Sequence, residues 1–171
     1  MEMKLSRCTL RPWRKGDEGS LARYANNRHV SGNLKDRFPF PYTAAEATAW
    51  IEHAAGETPA SNFAIVVDDE AVGGIGVELG QDVFRRSAEI GYWLGEPFWG
   101  RGIATEALRA VTDYAFATFD VIRLEAGVFG WNPASARVLE KAGYVLEGRM
   151  RQAIVKDGRV SDRLIYGLLR P

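Results

Sequence analysis

This sequence of 171 residues has few of the side chains that make covalent cross-links or metal sites. Its only cysteine is Cys8, and its two histidines, His29 and His53, lie far apart in the chain. Neither histidine has cysteine or carboxylate neighbours at the spacing of a metal site. We therefore expect no internal disulfide and no bound metal.

The sequence also lacks net charge and long apolar runs. Lysine and arginine together number 22, as do aspartate and glutamate, so no electrostatic case for binding nucleic acid exists. No apolar run reaches membrane-spanning length, and no signal peptide is recognisable. These absences predict a cytoplasmic protein that binds neither nucleic acid nor a membrane.

What the sequence does contain is typical of an ordinary globular protein. Apolar residues make up 46% of the chain and charged residues 26%. A chain of this length buries about 70% of the surface that its unfolded form exposes, and no repeat or linker interrupts it. We expect residues 1–171 to form a single domain.

Hydrophobic periodicity and chain breakers predict an alternation of strands and helices. The predicted strands are Leu5–Trp13, Asn62–Val67, Ala71–Leu79, Arg85–Leu94, Ile122–Phe129, Tyr144–Val155 and Val160–Leu169. The predicted helices are Glu18–Asn27, one that Thr43 and Glu46 begin as a capping box, Gly102–Ala117, and one from Asn132 to Gly143. Residues His29–Pro41 contain too many breakers for regular structure. This order predicts an α/β or α+β fold with helices on both faces of a sheet.

The predicted strand that ends at Leu94 leads through a glycine-rich turn into a helix. The turn, Trp99–Thr105, reads WGRGIAT, with Gly100 and Gly102 where strand gives way to helix. The first N–H groups of a helix have no partner and the helix dipole adds positive charge there, so the turn suits a pyrophosphate. Its spacing matches neither the dinucleotide fingerprint nor the P-loop.

This stretch resembles the acetyl-CoA signature of the GNAT acetyltransferase superfamily, R/Q-x-x-G-x-G/A. Gly102 and Ala104 take the small positions, and Trp99 replaces the usual Gln or Arg. The resemblance continues through Asn132–Tyr144, which matches N-x-x-S-x-x-x-x-E-K-x-G-[FY]. It is closest to the ribosomal-protein N-terminal, or Rim-type, branch. The implied fold is the GNAT fold, with a central twisted mixed sheet of six to seven strands.

The resemblance implies acetyl-CoA as the cosubstrate, lying where the central strand and the next one splay apart. The implied cofactor-binding residues are Tyr92, Trp93 and Leu94 through their main chains, and Gly100, Arg101, Gly102, Ile103, Ala104, Thr105, Asn132 and Arg137. An exposed Arg101 without a ligand role is an equal alternative. Asn132 is also explained as a helix N-cap, and both of its roles can hold.

The resemblance assigns the catalytic acid more readily than the base. Ser135 is implied as the group that assists the leaving thiolate, because the tyrosine that many relatives carry four positions later is Leu139 here. Its alternative role is a bond to a helix N–H. The base carboxylate of ribosomal-type relatives aligns with Ile154. Glu89 is the remaining candidate, unless it is an ion-pair partner of Arg123 or of another basic side chain on a neighbouring strand.

Together these features imply an N-acetyltransferase that acts on a primary amine. Without a carboxylate at Ile154, an amine of low pKa is favoured, which points to a protein or peptide N-terminus. The alternatives are a small-molecule amine, such as a polyamine or aminoglycoside, and a non-catalytic acyl-CoA-binding module. The loop His29–Pro41 is either a border of the acceptor pocket or a packed connector. Family members are often homodimers, and we keep a homodimer as a possibility.

Overall fold

The computed structural model describes residues 1–171 and contains eight strands in one continuous sheet, with five helices. The strands are β1 (Met3–Lys4), β2 (Thr9–Pro12), β3 (Asn62–Val67), β4 (Glu70–Leu79), β5 (Ser87–Leu94), β6 (Arg123–Phe129), β7 (Val145–Lys156) and β8 (Arg159–Leu169). The helices are α1 (Glu18–Ala25), α2 (Arg28–Ser31), α3 (Ala44–Ala55), α4 (Ile103–Thr118) and α5 (Pro133–Lys141). None of the helices is both long enough and apolar enough to cross a membrane.

The sheet is mixed, as predicted, but has eight strands rather than six or seven. Its order is β1-β2-β3-β4-β5-β6-β8-β7, and only β5 and β6 run parallel. The extra strand, β1, lies before the predicted strand Leu5–Trp13, because the first residues of that segment form a tight turn in which the Leu5 N–H donates to the Cys8 carbonyl at 2.9 Å. Glu106 of α4 accepts the N–H groups of Ser6 and Arg7 in this turn, at 3.1 and 2.9 Å. The turn therefore separates β1 from β2, and only Thr9–Pro12 of the predicted strand is a strand.

Alternating side chains along β3 divide the apolar core between the two faces of the sheet. Phe63 and Ile65 are fully buried in a core that includes α4 and α5, whereas Ala64 and Val66 belong to a second core beneath α1 and α3. This is the alternation expected of a strand that is covered on both faces. The predicted arrangement of helices on both faces is thus confirmed.

Most predicted helix ends are also confirmed. Thr43 Oγ1 accepts the Glu46 N–H at 3.3 Å at the start of α3, and Gly143 follows α5 with a φ of 92°, as expected of a glycine just past a helix end.

The prediction that His29–Pro41 lacks regular structure was partly wrong. The first residues of this segment form α2, a single turn, because Asn27 Oδ1 caps it by accepting the His29 N–H at 2.8 Å.

Candidate active site

A gap opens in the middle of the sheet, between β5 and β6. These strands pair in register over only three residue pairs, from Ser87 with Arg123 to Glu89 with Glu125. Beyond them β5 stays paired with β4 as far as Leu94, while β6 follows β8. The two strands therefore diverge, and a cavity of about 1360 Å³ includes the space between them.

The edge of β5 that lines this gap offers unpaired main-chain groups. The Arg86 carbonyl accepts the Ile122 N–H on the β6 side, and the Gly95 N–H donates to Val72 on the β4 side. Because main-chain groups alternate in direction along a strand, those of Tyr92 and Leu94 point into the gap. The Trp93 carbonyl faces β4 instead, where a Cβ on Gly73 would lie 2.5 Å from it.

The glycine turn lies at one end of the gap and leads into α4. Gly100 and Gly102 have φ values of 71° and 77°, and Gly102 is the N-cap of α4 without any side-chain cap. The N–H groups of Ile103, Ala104 and Thr105 donate to no group of the chain. They provide a set of donors for an anion at the positive end of the helix.

Three side chains shape this turn. The Trp99 indole donates to the Leu94 carbonyl at 2.7 Å and so ties the turn to the end of β5. The Arg101 guanidinium lies over the Phe98 ring at 5.4 Å. Arg7 was missed by the sequence analysis, yet its Nε lies 3.3 Å from where a Cβ on Gly102 would stand. Nothing in the sequence around Arg7 indicates this proximity, which depends on the contact between β1–β2 and α4.

The start of α5 faces the gap from the opposite side. Asn132 Oδ1 accepts the Ser135 N–H at 3.4 Å, so Asn132 is the predicted N-cap, and its amide nitrogen donates to no group of the chain. The Ser135 hydroxyl bonds the Tyr92 hydroxyl at 2.7 Å. No helix N–H donates to the Ser135 hydroxyl, so the structure does not show its alternative role.

The Tyr92 side chain is the second group that the sequence analysis missed, since it assigned only a main-chain contact to this residue. Burial, which outweighs the hydrogen bond with Ser135, raises the pKa of Tyr92 to about 12. Its hydroxyl therefore keeps its proton at neutral pH. The sequence signal that could have found it is its even spacing from Ala88 and Ile90, which places it on the α5 face of β5.

Glu89 lies on the other face of β5. Lys35 Nζ is 2.9 Å from its carboxylate and Arg163 is 3.9 Å away. The predicted pairing with Arg123 is wrong, because Arg123 binds Glu125, two positions along the same strand, at 2.9 Å and also Glu147. Glu89 is thus in ion pairs, but its basic partners come from the segment after α2 and from β8, and not from β4 or β6, the strands next to β5.

Lys35 belongs to a segment, Asn33–Phe38, that crosses this face of the sheet and that we term the strap. Its polar contacts are Lys35 with Glu89 (2.9 Å), Asp36 with Lys156 (2.8 Å), Arg37 with Glu78 (2.8 Å) and Asn33 Oδ1 with the Trp131 indole (3.1 Å). The bond from Arg37 lowers the pKa of Glu78. The strap lines the cavity, so the predicted loop borders the site and is also firmly attached.

The cavity brings all the sequence-predicted site residues together. Its lining includes both candidate catalytic residues, Ser135 and Glu89, the exposed Arg137 and the remaining residues predicted to bind the cofactor. Ile154 also lines it, so β7 presents an apolar side chain at that position. Ser135 and Glu89 lie on opposite faces of β5, and the gap between β5 and β6 connects the two faces.

A strand that ends in an anion-binding turn beside a gap in a mixed sheet is what the resemblance implied. Residues 7–145 match a family described as "Acetyltransferase (GNAT) domain". The chain belongs to this family. The predicted GNAT fold and acetyltransferase activity are thereby confirmed.

Several GNAT relatives resemble the chain over most of its length or over a part of it. The uncharacterized N-acetyltransferase p20 of Bacillus licheniformis is 31% identical over 170 residues, which is 96% of this chain and 93% of the relative. The ribosomal-protein-serine acetyltransferase of Escherichia coli K12 is 32% identical over 107 residues, 63% of this chain and 59% of the relative. The structure of Mycobacterium smegmatis RimJ in complex with CoA-disulfide has a TM-score of 0.82 at 27% identity, covering 95% of this chain and 81% of RimJ. The chain is thus a GNAT N-acetyltransferase with Rim-type relatives.

Proposed function

We propose that this GNAT enzyme transfers the acetyl group of acetyl-CoA to a primary amine, and that it prefers the α-amino group of a peptide or protein N-terminus. The observation that carries the proposal is the gap through the sheet, which has anion-binding N–H groups at one end and the Glu89 carboxylate on the opposite face. The RimJ structure in complex with CoA-disulfide supports acetyl-CoA as the acetyl donor. The relative named as a ribosomal-protein-serine acetyltransferase supports a protein N-terminus as the acceptor.

The glycine turn fits the pyrophosphate of acetyl-CoA. The left-handed backbone at Gly102 lets phosphate oxygens approach the N–H groups of Ile103–Thr105 without a side chain in the way. Arg101 and Arg137 are exposed cations on the cavity lining and add charge-assisted hydrogen bonds. When bound, acetyl-CoA supplies an acetyl group that is activated as a thioester.

The open edge of β5 fits the pantetheine arm. An extended chain with amide groups can bind the main-chain groups of Tyr92 and the N–H of Leu94 as an added strand would, while the Leu94 carbonyl accepts the Trp99 indole. The amide nitrogen of Asn132 donates to the same arm, while its Oδ1 remains the cap of α5. These contacts direct the thioester towards Ser135.

Ser135 acts in this proposal as the proton donor to the departing sulfur as the C–S bond breaks, and the proton that the amine nitrogen loses on forming the amide replaces the serine proton. The Tyr92 hydroxyl is 2.7 Å from Ser135 Oγ and keeps its proton because its pKa is raised to about 12. When Tyr92 donates to Ser135 Oγ, the serine proton is left free to point into the gap. Tyr92 therefore orients the proton that Ser135 delivers.

Glu89 receives the amine in this proposal, and the free energy needed to hold that amine neutral limits which amines react. An α-amino group, with an unperturbed pKa of about 7.7–8.0, costs on the order of 1 kcal/mol to hold neutral at pH 7, and a lysine-type amine, near 10.4, costs about 4.6 kcal/mol. The Glu89 carboxylate already pairs with Lys35 and Arg163, and β7 offers only Ile154 as a further side chain. The site is therefore better suited to the amine of lower pKa.

Release of free thiol from acetyl-CoA tests this proposal. We expect kcat/KM at pH 7 for short peptides with a free N-terminus to exceed that for spermidine and for lysine peptides with a blocked N-terminus, by up to several hundredfold. A higher kcat/KM for spermidine or the blocked lysine peptide would contradict the preference for an α-amine and indicate a small-molecule or lysine acceptor. Glu89→Gln should also steepen the pH dependence for any high-pKa amine if Glu89 is the base.

A further inference from the structure

Glu89, Gly91 and Trp93 follow one another along the face of β5 that the strap crosses. Lys35 of the strap binds Glu89 at 2.9 Å, and Phe38 packs edge-on against Trp93 with 5.5 Å between the ring centres. The strap therefore contacts β5 at two points, one polar and one aromatic, with Gly91 between them.

The space above Gly91 is open. A Cβ built on Gly91 meets no atom within 4 Å, in contrast to Gly74 and Gly76 on the neighbouring strand, where it would collide with Trp93 and Asn62. Gly91 itself is exposed and lines the main cavity. A ligand can thus enter over Gly91, with the carboxylate of Glu89 on one side and the Trp93 ring on the other.

The charges around Glu89 allow one of its two cations to leave. Arg163 stays 3.9 Å from Glu89 when Lys35 departs, so the carboxylate keeps a counter-ion. The Lys35 side chain is 51% exposed, so its ammonium can be solvated by water with little movement. The neighbouring pairs Asp36–Lys156 and Arg37–Glu78 keep the strap in place.

We propose that the Lys35 ammonium occupies the binding site of the acceptor amine. The ammonium of the acceptor then displaces that of Lys35 from Glu89 in the space over Gly91. This inference rests on the proposed function, in which Glu89 receives the amine. It makes Lys35 a residue that sets acceptor affinity, because every acceptor must compete with it. It also selects for cationic acceptors, since a neutral hydroxyl or thiol cannot replace an ammonium at a carboxylate.

The first test compares Lys35→Met with Arg37→Met, using a short peptide with a free N-terminal serine as the probe. An exposed ion pair corresponds to a change in affinity of roughly two- to fivefold. We expect Lys35→Met to lower the peptide KM by about that factor and to leave the acetyl-CoA KM unchanged. Arg37→Met removes a comparable strap contact, to Glu78 at 2.8 Å, and should leave the peptide KM unchanged.

Equal changes in both variants would mean that the strap was merely loosened, and a rise in peptide KM for Lys35→Met would mean that Lys35 assists binding; either result overturns the inference.

Gly91→Val provides a second test, because a β-branched side chain suits a strand and fills the open space. It should raise the peptide KM at least tenfold without lowering the melting temperature, and an unchanged KM would exclude this space as the amine site. A wild-type enzyme that transfers acetyl to no amine would instead contradict the proposed function itself.

Discussion

The two faces of β5 differ in how their functional groups are supplied. On the α5 face, Tyr92 meets Ser135, 43 positions away, but the glycine turn after β5 and the start of α5 are each a short contiguous segment. On the strap face, Glu89 meets Lys35, 54 positions away in the sequence, and Arg163 from β8. The first face is built around short contiguous motifs, and the second is assembled by tertiary contacts.

This difference explains why the α5 face, where the cofactor is proposed to bind, is easier to recognise from the sequence than the strap face, where the acceptor is proposed to bind. A pyrophosphate needs main-chain N–H groups at a helix N-terminus, and these depend on a few adjacent residues. An acceptor pocket needs side chains that converge from separate elements, and their partners can vary without altering any local pattern. If this distinction is correct, substitutions on the α5 face should lower turnover or cofactor binding, whereas those on the strap face should change the KM for the acceptor and leave the KM for acetyl-CoA unchanged.

The largest effect is expected from Ser135→Ala. If the Ser135 hydroxyl protonates the departing sulfur, its loss should lower kcat by roughly 10²–10⁴-fold, with little change in the KM for acetyl-CoA. Alanine keeps the N–H that Asn132 caps and loses only the bond to the Tyr92 hydroxyl, so the melting temperature should fall no further than in Tyr92→Phe. Steady-state kinetics and a thermal melt measure both. A variant with normal turnover and a reduced melting temperature would assign Ser135 to structure alone.

The next largest effect concerns Gly102→Val and the binding of acetyl-CoA. At a hundredfold excess over its dissociation constant, acetyl-CoA should stabilise the wild type by about 2.7 kcal/mol. Valine disfavours the φ of 77° and brings its side chain near Arg7, so this stabilisation should disappear. A thermal shift titration with acetyl-CoA provides the measurement.

Gly16→Val is the matched control for backbone strain. Gly16 also has a positive φ, 104°, and a Cβ there meets no atom within 4 Å, but it does not line the main cavity. It should lower the melting temperature and keep the full shift with acetyl-CoA. If both variants lose the shift, or if neither does, the glycine turn is not the pyrophosphate site.

Much of the fold and of the cofactor side could be predicted from the sequence because the signals are local. Asn132 caps α5 because a side-chain oxygen directly before a helix can reach its free N–H groups. The glycines at 100 and 102 mark left-handed positions that other residues rarely adopt. Alternation along Asn62–Val67 indicates a strand, although it does not indicate which face each core occupies.

The remaining features depend on contacts that no local pattern encodes. The break between β1 and β2 follows from hydrogen bonds to Glu106, about a hundred positions away. Arg123 prefers Glu125 on its own strand, whereas the cations at Glu89 come from the strap and β8. The Tyr92–Ser135 bond joins two residues that were each singled out, but it could be seen only once β5 and α5 were placed together.

The smallest effect on the α5 face is expected from Tyr92→Phe, which separates the orienting role of Tyr92 from the proton transfer by Ser135. The variant removes only a hydroxyl that bonds Ser135 Oγ, and such a hydrogen bond contributes about 0.5–1.5 kcal/mol. We expect kcat to fall by about three- to tenfold at an unchanged KM for acetyl-CoA. Added to Ser135→Ala, the substitution should have almost no further effect on kcat, because Tyr92 acts through that serine.

Tyr144→Phe tests whether such a loss is specific to the gap. Tyr144 is a buried tyrosine, whereas Tyr92 is partly buried. As for Tyr92, burial raises the pKa of Tyr144 to about 12, and its hydroxyl bonds another hydroxyl, that of Thr112, at 2.8 Å. It does not line the cavity. Both variants should lose similar stability in a denaturant titration, but only Tyr92→Phe should lose turnover. If Tyr144→Phe lowers kcat as much, or if Tyr92→Phe adds its full effect on top of Ser135→Ala, the Tyr92 hydroxyl contributes to packing and not to the orientation of Ser135.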